Sequence, residues 1–217
     1  MSRYCAACHK AKTSCICTWI QPDQSRARVI ILQHPSEGTK PLGSAVIASL
    51  TLNNCEIWQG ENFSDDARFL KLLAEFQAAQ CELALLFPSE QAQTLAQWQH
   101  GMDVSSLDQK TGTLARDKVL LVLDGTWKKA KKIWFLTPQL QALPQVCLTE
   151  PPQGEYLIRK SPRSDGLSTI EAIAYALQEL GEKQAMCEQM LQVFRQMIAA
   201  QCAHMPADVL ARYQSKG

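Results

Sequence analysis

The run Val119-Leu-Leu-Val-Leu123 is the strongest strand signal in the chain, and it constrains the fold most because other apolar runs of strand length recur on either side of it. Those runs are Val29 to Leu32, Cys55 to Trp58, Leu83 to Phe87 and Val146 to Leu148. Helix-period segments separate them, near Leu42 to Leu50, Ala67 to Ala79, Gln91 to Gln99 and Trp127 to Trp134. Strands alternating with helices predict an α/β domain with a largely parallel sheet flanked by helices. Two amphipathic helices should close the fold. Ile170, Ile173, Ala174, Leu177 and Leu180 repeat at helical spacing, and Met190, Leu191, Phe194, Met197 and Ile198 do so again. The polar stretch Gly101 to Gly112 reads as a mobile loop.

With 46% hydrophobic residues, 217 positions suffice for one well-filled core and a small appendage. The first 25 residues fit the appendage: they are too short and cysteine-dense to bury a core, and they end in the polar stretch Gln21-Pro-Asp-Gln-Ser25. Residues 1–25 are therefore expected to form a metal-stapled segment, and residues 26–217 the main domain. Of nine cysteines, Cys5, Cys8, Cys15 and Cys17 fall within thirteen residues, an arrangement unlike a disulfide framework. Four thiolates in two close pairs suit tetrahedral zinc with no open position, which makes the site structural. A redox pair or unliganded thiols are the alternatives, and His9 is a substitute ligand. Cys55, Cys81, Cys147, Cys187 and Cys202 sit among apolar neighbours and read as small buried hydrophobes. No stretch approaches the ~18 apolar residues of a membrane span. Charges and cysteines stand where a signal peptide would be apolar, so a soluble, cytoplasmic protein without a membrane partner is expected.

The 22 Lys+Arg against 21 Asp+Glu exclude a strongly basic arm or an acidic tail as the whole basis of partner binding. Residues 1 to 28 nevertheless carry five Lys/Arg and one Asp, while residues 56 to 90 carry two Lys/Arg and seven Asp/Glu. Such a polarised surface suits RNA. Phosphate loops of the usual kinds are absent: Gly38 to Gly43 has P-loop glycine separation but lacks the following Lys-Ser/Thr, and no glycines stand in GxG spacing.

Asp124-Gly-Thr-Trp127 follows the strongest strand directly, placing a carboxylate at the carboxyl end of a central strand, where α/β sheets bind ligands. A plainer role would be Asp124 as a helix cap and Trp127 as core. Lys128, Lys129, Lys131 and Lys132 add four ammonium groups in five residues, a phosphate landing site beside an aromatic platform. A third cluster, Arg159-Lys-Ser-Pro-Arg163 to Leu167-Ser-Thr-Ile-Glu171, is a basic loop running into a helix, with Ser168 and Glu171 in capping-box order. Gln33-His34-Pro-Ser-Glu37 and Phe87-Pro-Ser-Glu90 are further polar loops at strand ends.

Taken together, these stretches resemble the DTW-domain family, named for the Asp-x-Thr-Trp signature seen here as Asp124-Gly-Thr-Trp127. The resemblance extends, in order, through the cysteine-rich N-terminus, His34-Pro-Ser-Glu37, Pro88-Ser-Glu90 and Leu167-Ser-Thr-Ile-Glu171. It implies a SPOUT-like fold with a C-terminal trefoil knot, and residues 26–217 as the catalytic domain. It also implies an enzyme that moves the 3-amino-3-carboxypropyl group of S-adenosylmethionine to N3 of a uridine in the tRNA variable loop, releasing methylthioadenosine. The sulfonium donor is already electrophilic, which leaves zinc free to be structural.

On that resemblance the expected catalytic residues are Asp124, as base toward N3, with Thr126 and Trp127. The donor is expected in the loops at Pro88, Ser89 and Glu90, at Leu123 and Gly125, and at Leu167, Ser168, Thr169 and Glu171. Helix amides there would hold its carboxylate, and Glu37 or Glu90 its ammonium. tRNA is expected at His34, Glu37, Lys128, Lys129, Lys131, Lys132, Arg159, Lys160 and Arg163, with the target base flipped onto Trp127. A SPOUT-type RNA methyltransferase and a non-catalytic zinc-knuckle RNA-binding module are the rival readings. A monomer is the expected state, although Met186 to Ile198 could cover a partner as readily as a core.

Overall fold

The computed structural model describes residues 2–40, 42–100, 117–152 and 166–203. Each of the five apolar runs is a strand: β1 Arg28–Gln33, β2 Cys55–Gln59, β3 Cys81–Leu86, β5 Asp117–Asp124 and β6 Gln145–Cys147. The segment Gln91 to Gln99, whose pattern predicts one helix, divides into a two-residue strand, β4 Gln93–Thr94, and helix α3 Leu95–His100. A reciprocal cap causes the split. Thr94 Oγ1 accepts from Gln97 N at 3.1 Å, Gln97 Oε1 accepts from Thr94 N at 2.8 Å, and the helix cannot extend back past Thr94. The other helices are α1 Ala45–Thr51, α2 Ala67–Gln77, α4 Trp127–Leu136, α5 Thr169–Glu179 and α6 Gln184–Ala203.

All six strands are parallel, in the order β2-β1-β5-β3-β6-β4. Because successive side chains of a strand point to opposite faces, the central strands feed two cores. Val29, Ile31, Leu120 and Val122 pack on one face with α1, α3, α5 and α6. Ile30, Leu32, Val119 and Leu121 pack on the other with α2 and α4. Burial on both faces is why these strands read as unbroken apolar runs. The stretch Met186 to Ile198 serves the first of these cores, with Met190, Leu191, Phe194 and Met197 all buried. The cysteine-rich segment joins that core through Cys8 and Ile16. Cys81 and Cys187 are buried, whereas Cys55, Cys147 and Cys202 are half-buried. Among the described residues no helix is long and apolar enough to cross a membrane. The stretch Gly101 to Gly112, expected as a loop, lies outside the described residues.

Candidate active site

After β1 the chain passes to α1 on one face, and after the neighbouring β5 it passes to α4 on the other. Such a divergence opens a crevice at the carboxyl ends of two adjacent parallel strands, where ligands of α/β sheets bind. Asp124 ends β5 in this crevice, 6% exposed, and its carbonyl accepts from His34 N at 3.0 Å.

Its carboxylate is held from two sides. Gln33, directly opposite on β1, donates from Nε2 to Oδ2 at 2.9 Å, and Thr169 Oγ1, at the start of α5, donates to Oδ1 at 2.5 Å. Gln33 in turn accepts at Oε1 from Gln59 Nε2 at 2.9 Å. Asp124 is therefore not the cap of α4. That role falls to Thr126, whose Oγ1 accepts from Lys129 N at 3.4 Å. Gly125 makes the turn between strand and helix, and a methyl group there would lie 2.9 Å from Lys129 Cβ, so the tight approach needs glycine. Trp127 is half-buried and meets Phe87 edge-on, with ring centres 6.2 Å apart; Leu123 packs against the same core.

The β1 loop is tied to α4 by ions. His34 Nδ1 accepts from Ser36 N, so its proton sits on Nε2, which lies 2.6 Å from Glu61 Oε1. Lys132 reaches the other Glu61 oxygen at 2.5 Å, and the hydrogen bond and charge of Lys132 hold the Glu61 carboxyl below the usual range. Glu37 is buried and accepts from Lys129 at 2.7 Å and Lys40 at 3.0 Å. Burial would push its carboxyl up, but the bonds from Lys129 and Lys40 hold it below its ordinary value. Two of the four clustered lysines are thus spoken for within the chain. Lys128 and Lys131 are exposed, with no ion pair among the described residues.

At α5 the expected capping box is present: Ser168 Oγ accepts from Glu171 N at 3.3 Å, and Glu171 Oε2 accepts from Ser168 N at 2.7 Å. It aims the helix start, with Leu167 and Thr169, at Asp124. After β3, on the other side of β5, come Pro88, Ser89 and Glu90. Pro88 and Glu90 are exposed, whereas Ser89 Oγ is buried with no hydrogen-bond partner among the described residues. A buried hydroxyl in that state is suited to a bound ligand's polar atom. Arg159, Lys160 and Arg163 lie outside the described residues.

The sulfurs of Cys5, Cys8, Cys15 and Cys17 lie within 4.8 Å of one another, with Cys5 to Cys17 at 3.7 Å and Cys8 to Cys15 at 3.8 Å. A tetrahedron with metal–sulfur bonds of about 2.3 Å has edges of about 3.8 Å. The cluster could hold one metal ion, and His9 is not among its ligands. His9 instead adopts φ 56°, turning the chain after Cys8 so that His9 N reaches Cys5 O at 3.0 Å.

Gln33 stood out in the sequence only as the start of a polar stretch at a strand end, and Gln59 and Glu61 did not stand out at all. The available signal was a polar residue closing an apolar strand, as in Arg28-Val-Ile-Ile-Leu-Gln33, but nothing in one strand reveals its partner.

Fold and site together define a parallel α/β protein with a polar crevice at its switch point and a four-cysteine knuckle packed on one face. The DTW domain profile matches residues 2–202, and the chain belongs to that family. A Drosophila melanogaster protein named tRNA-uridine aminocarboxypropyltransferase 2 is 29% identical over 177 residues, or 80% of this chain. A Mus musculus protein of the same name is 26% identical over 207 residues, or 92% of this chain. The chain spans 64% of the length of each of these relatives. No solved structure matches it significantly.

Proposed function

We propose that the protein transfers the 3-amino-3-carboxypropyl group of S-adenosylmethionine to N3 of a uridine in tRNA, with the variable loop as target. The observation that carries this reading is Asp124, a buried carboxylate oriented by β1 and α5 at the switch point, in a chain whose relatives are named for that reaction. Asp124 takes the proton from N3 as N3 bonds to the γ-carbon of the donor. The carbon–sulfur bond breaks with its electron pair on sulfur, and methylthioadenosine leaves. The bonds from Gln33 and Thr169 orient the carboxylate by one oxygen each.

The unpartnered Ser89 hydroxyl supports a donor site between the Pro88–Glu90 loop, Leu123 to Gly125 and the start of α5. Helix amides at Thr169 would favour the donor carboxylate, and Glu90 its ammonium. Trp127 would stack the flipped base. Residues 1–25 are read as a zinc-stapled segment on a catalytic domain of 26–217, supported by the four-sulfur geometry. A SPOUT-like relationship is supported by the all-parallel sheet between helical layers. The knot expected with it would depend on the path of residues 153–165, outside the described residues.

Incubation with S-adenosylmethionine and unmodified tRNA, followed by mass spectrometry of both pools, tests the reaction. Methylthioadenosine and a uridine heavier by the aminocarboxypropyl group support it. S-adenosylhomocysteine would indicate methyl transfer, and tight tRNA binding with no donor consumed would indicate a binding module.

The split among the lysines makes a second expectation. Lys128→Ala with Lys131→Ala should weaken tRNA binding and flatten the slope of log K against log salt by about 0.7–0.9 per lost phosphate contact. Lys129→Ala and Lys132→Ala should act mainly by loosening the β1 loop, lowering thermal stability more than the salt slope.

A further inference from the structure

We infer that Gln33 and Gln59 are positioning residues for the transfer, forming a directed two-amide relay that fixes the angle of the Asp124 carboxylate; the inference rests on the proposed role of Asp124. Parallel register puts Gln59, Gln33 and Asp124 side by side at the ends of β2, β1 and β5. The bonds run one way, from Gln59 Nε2 to Gln33 Oε1 and from Gln33 Nε2 to Asp124 Oδ2, each 2.9 Å. A carboxylate only accepts, so Gln33 must turn its amino group toward it, which leaves the Gln33 carbonyl facing Gln59. Asp124 thereby sets the orientation of both amides, and they in turn hold Asp124.

Packing alone does not account for these residues. Gln33 continues the face that carries Val29 and Ile31 and is 4% exposed, a place where an apolar side chain would avoid the cost of burying an amide. Gln59 ends an edge strand and is exposed, where stability alone asks for little. Gly38 lies against the relay. A methyl group there would run into Gln59 Nε2 and stand 3.0 Å from Gln33 Oε1, so the loop leaves room for this amide pair. Thr169 secures the other carboxylate oxygen, giving Asp124 two anchors from different layers of the fold.

The test is Gln33→Glu, which sets a second carboxylate against Asp124. Two carboxylates at that distance hold a proton between them, so the Asp124 titration should move up by about one pH unit or more. Among the described residues, the titratable groups on the elements packed around Asp124 include the His34–Glu61 pair, Glu37 with Lys129 and Lys40, and Glu171 in its capping box, all retained in the variant. The expected result is an upward shift of the acidic limb of the kcat profile, matched by ¹³C carboxyl titration of Asp124 assigned against Asp124→Asn, with KM for tRNA little changed. Gln33→Met, the variant more certain to fold, should lower kcat about tenfold without moving the melting temperature by more than a few degrees. Gln59→Met should lower kcat by a smaller factor. Wild-type turnover with an unshifted profile in both Gln33 variants would overturn the relay and leave the transfer reaction standing. If the wild-type protein transfers nothing, the reaction itself is wrong and the positioning role falls with it, while the carboxyl titration still tests the Gln33–Asp124 contact: no shift in Gln33→Glu overturns that contact as well.

Discussion

Asp124→Asn is expected to fold as the parent does and to lose the proposed aminocarboxypropyl transfer by about 10²- to 10⁴-fold, the range typical of removing a general base. The substitution keeps size and shape and removes the charge. Its bonds to Gln33 and Thr169 can be rebuilt: if the carbonyl of the introduced amide faces Gln33, its amino group faces Thr169, whose hydroxyl can accept instead of donate. The fold should therefore tolerate the change, and lost activity reports the carboxylate. Single-turnover kinetics with tRNA, together with a melting curve, separate the two effects. Near-normal turnover would mean that Asp124 orients a substrate but takes no proton. A loss shared equally by melting temperature and rate would mean that the residue is structural. A fall in kcat with KM for tRNA unchanged is the outcome that the geometry favours, because Asp124 sits beneath the crevice while the exposed cations Lys128 and Lys131 lie on α4.

The sheet was largely legible because its central strands are buried on both faces, and the apolar runs therefore stand out from the amphipathic helices between them. Asp124 was legible for the same reason: it ends the strongest such run, where a carboxylate has no packing role. The Ser168–Glu171 box was legible because a reciprocal cap is local, formed by residues three apart. The rest of the site depends on which strands become neighbours. β5 inserts between β1 and β3, which precede it in sequence and are not adjacent to each other, and only that insertion brings Gln33 beside Asp124. The lysine cluster misled for a related reason. Four cations in five residues look alike in sequence, yet Glu37 and Glu61, from loops after β1 and β2, reach only Lys129 and Lys132. Glu37 itself, expected toward ligand, is the buried anchor of that contact. The division of Gln91 to Gln99 into β4 and α3 was readable in principle, since Thr94 and Gln97 have capping-box spacing.

Removing metal from the cysteine knuckle is expected to be the largest perturbation of stability. The four sulfurs lie within 4.8 Å of one another, an arrangement that could hold one metal ion, and so short a segment has little else to staple it. Ile16 is fully buried and Cys8 nearly so, both in the core shared by α1, α5 and α6, and Lys10 donates to Gly43 O at 3.3 Å across the join. Exposing Ile16 alone forfeits about 2 kcal/mol. For a chain of this size each kcal/mol is worth about 2–4 °C, so a drop in melting temperature of about 5 °C or more should follow chelation. Cys5→Ser with Cys17→Ser should reproduce it and should abolish binding of added zinc. Affinity should also rise with pH. Backbone hydrogen bonds from Cys8 and Ala7 lower the Cys5 thiol to about 6, whereas burial pushes Cys17 up to about 12. Metal must displace protons from the reluctant thiols, and acid returns them. The effect should reach the active site, because Cys8, His9 and Lys10 wall a cavity of about 60 Å³ whose other side is Gln33, Glu37 and Gly38. Loss of the knuckle opens that cavity behind the Asp124 relay, so the metal-free protein should lose transfer even below its melting temperature. A metal-free protein that melts and turns over like the parent would leave the four cysteines without a structural role.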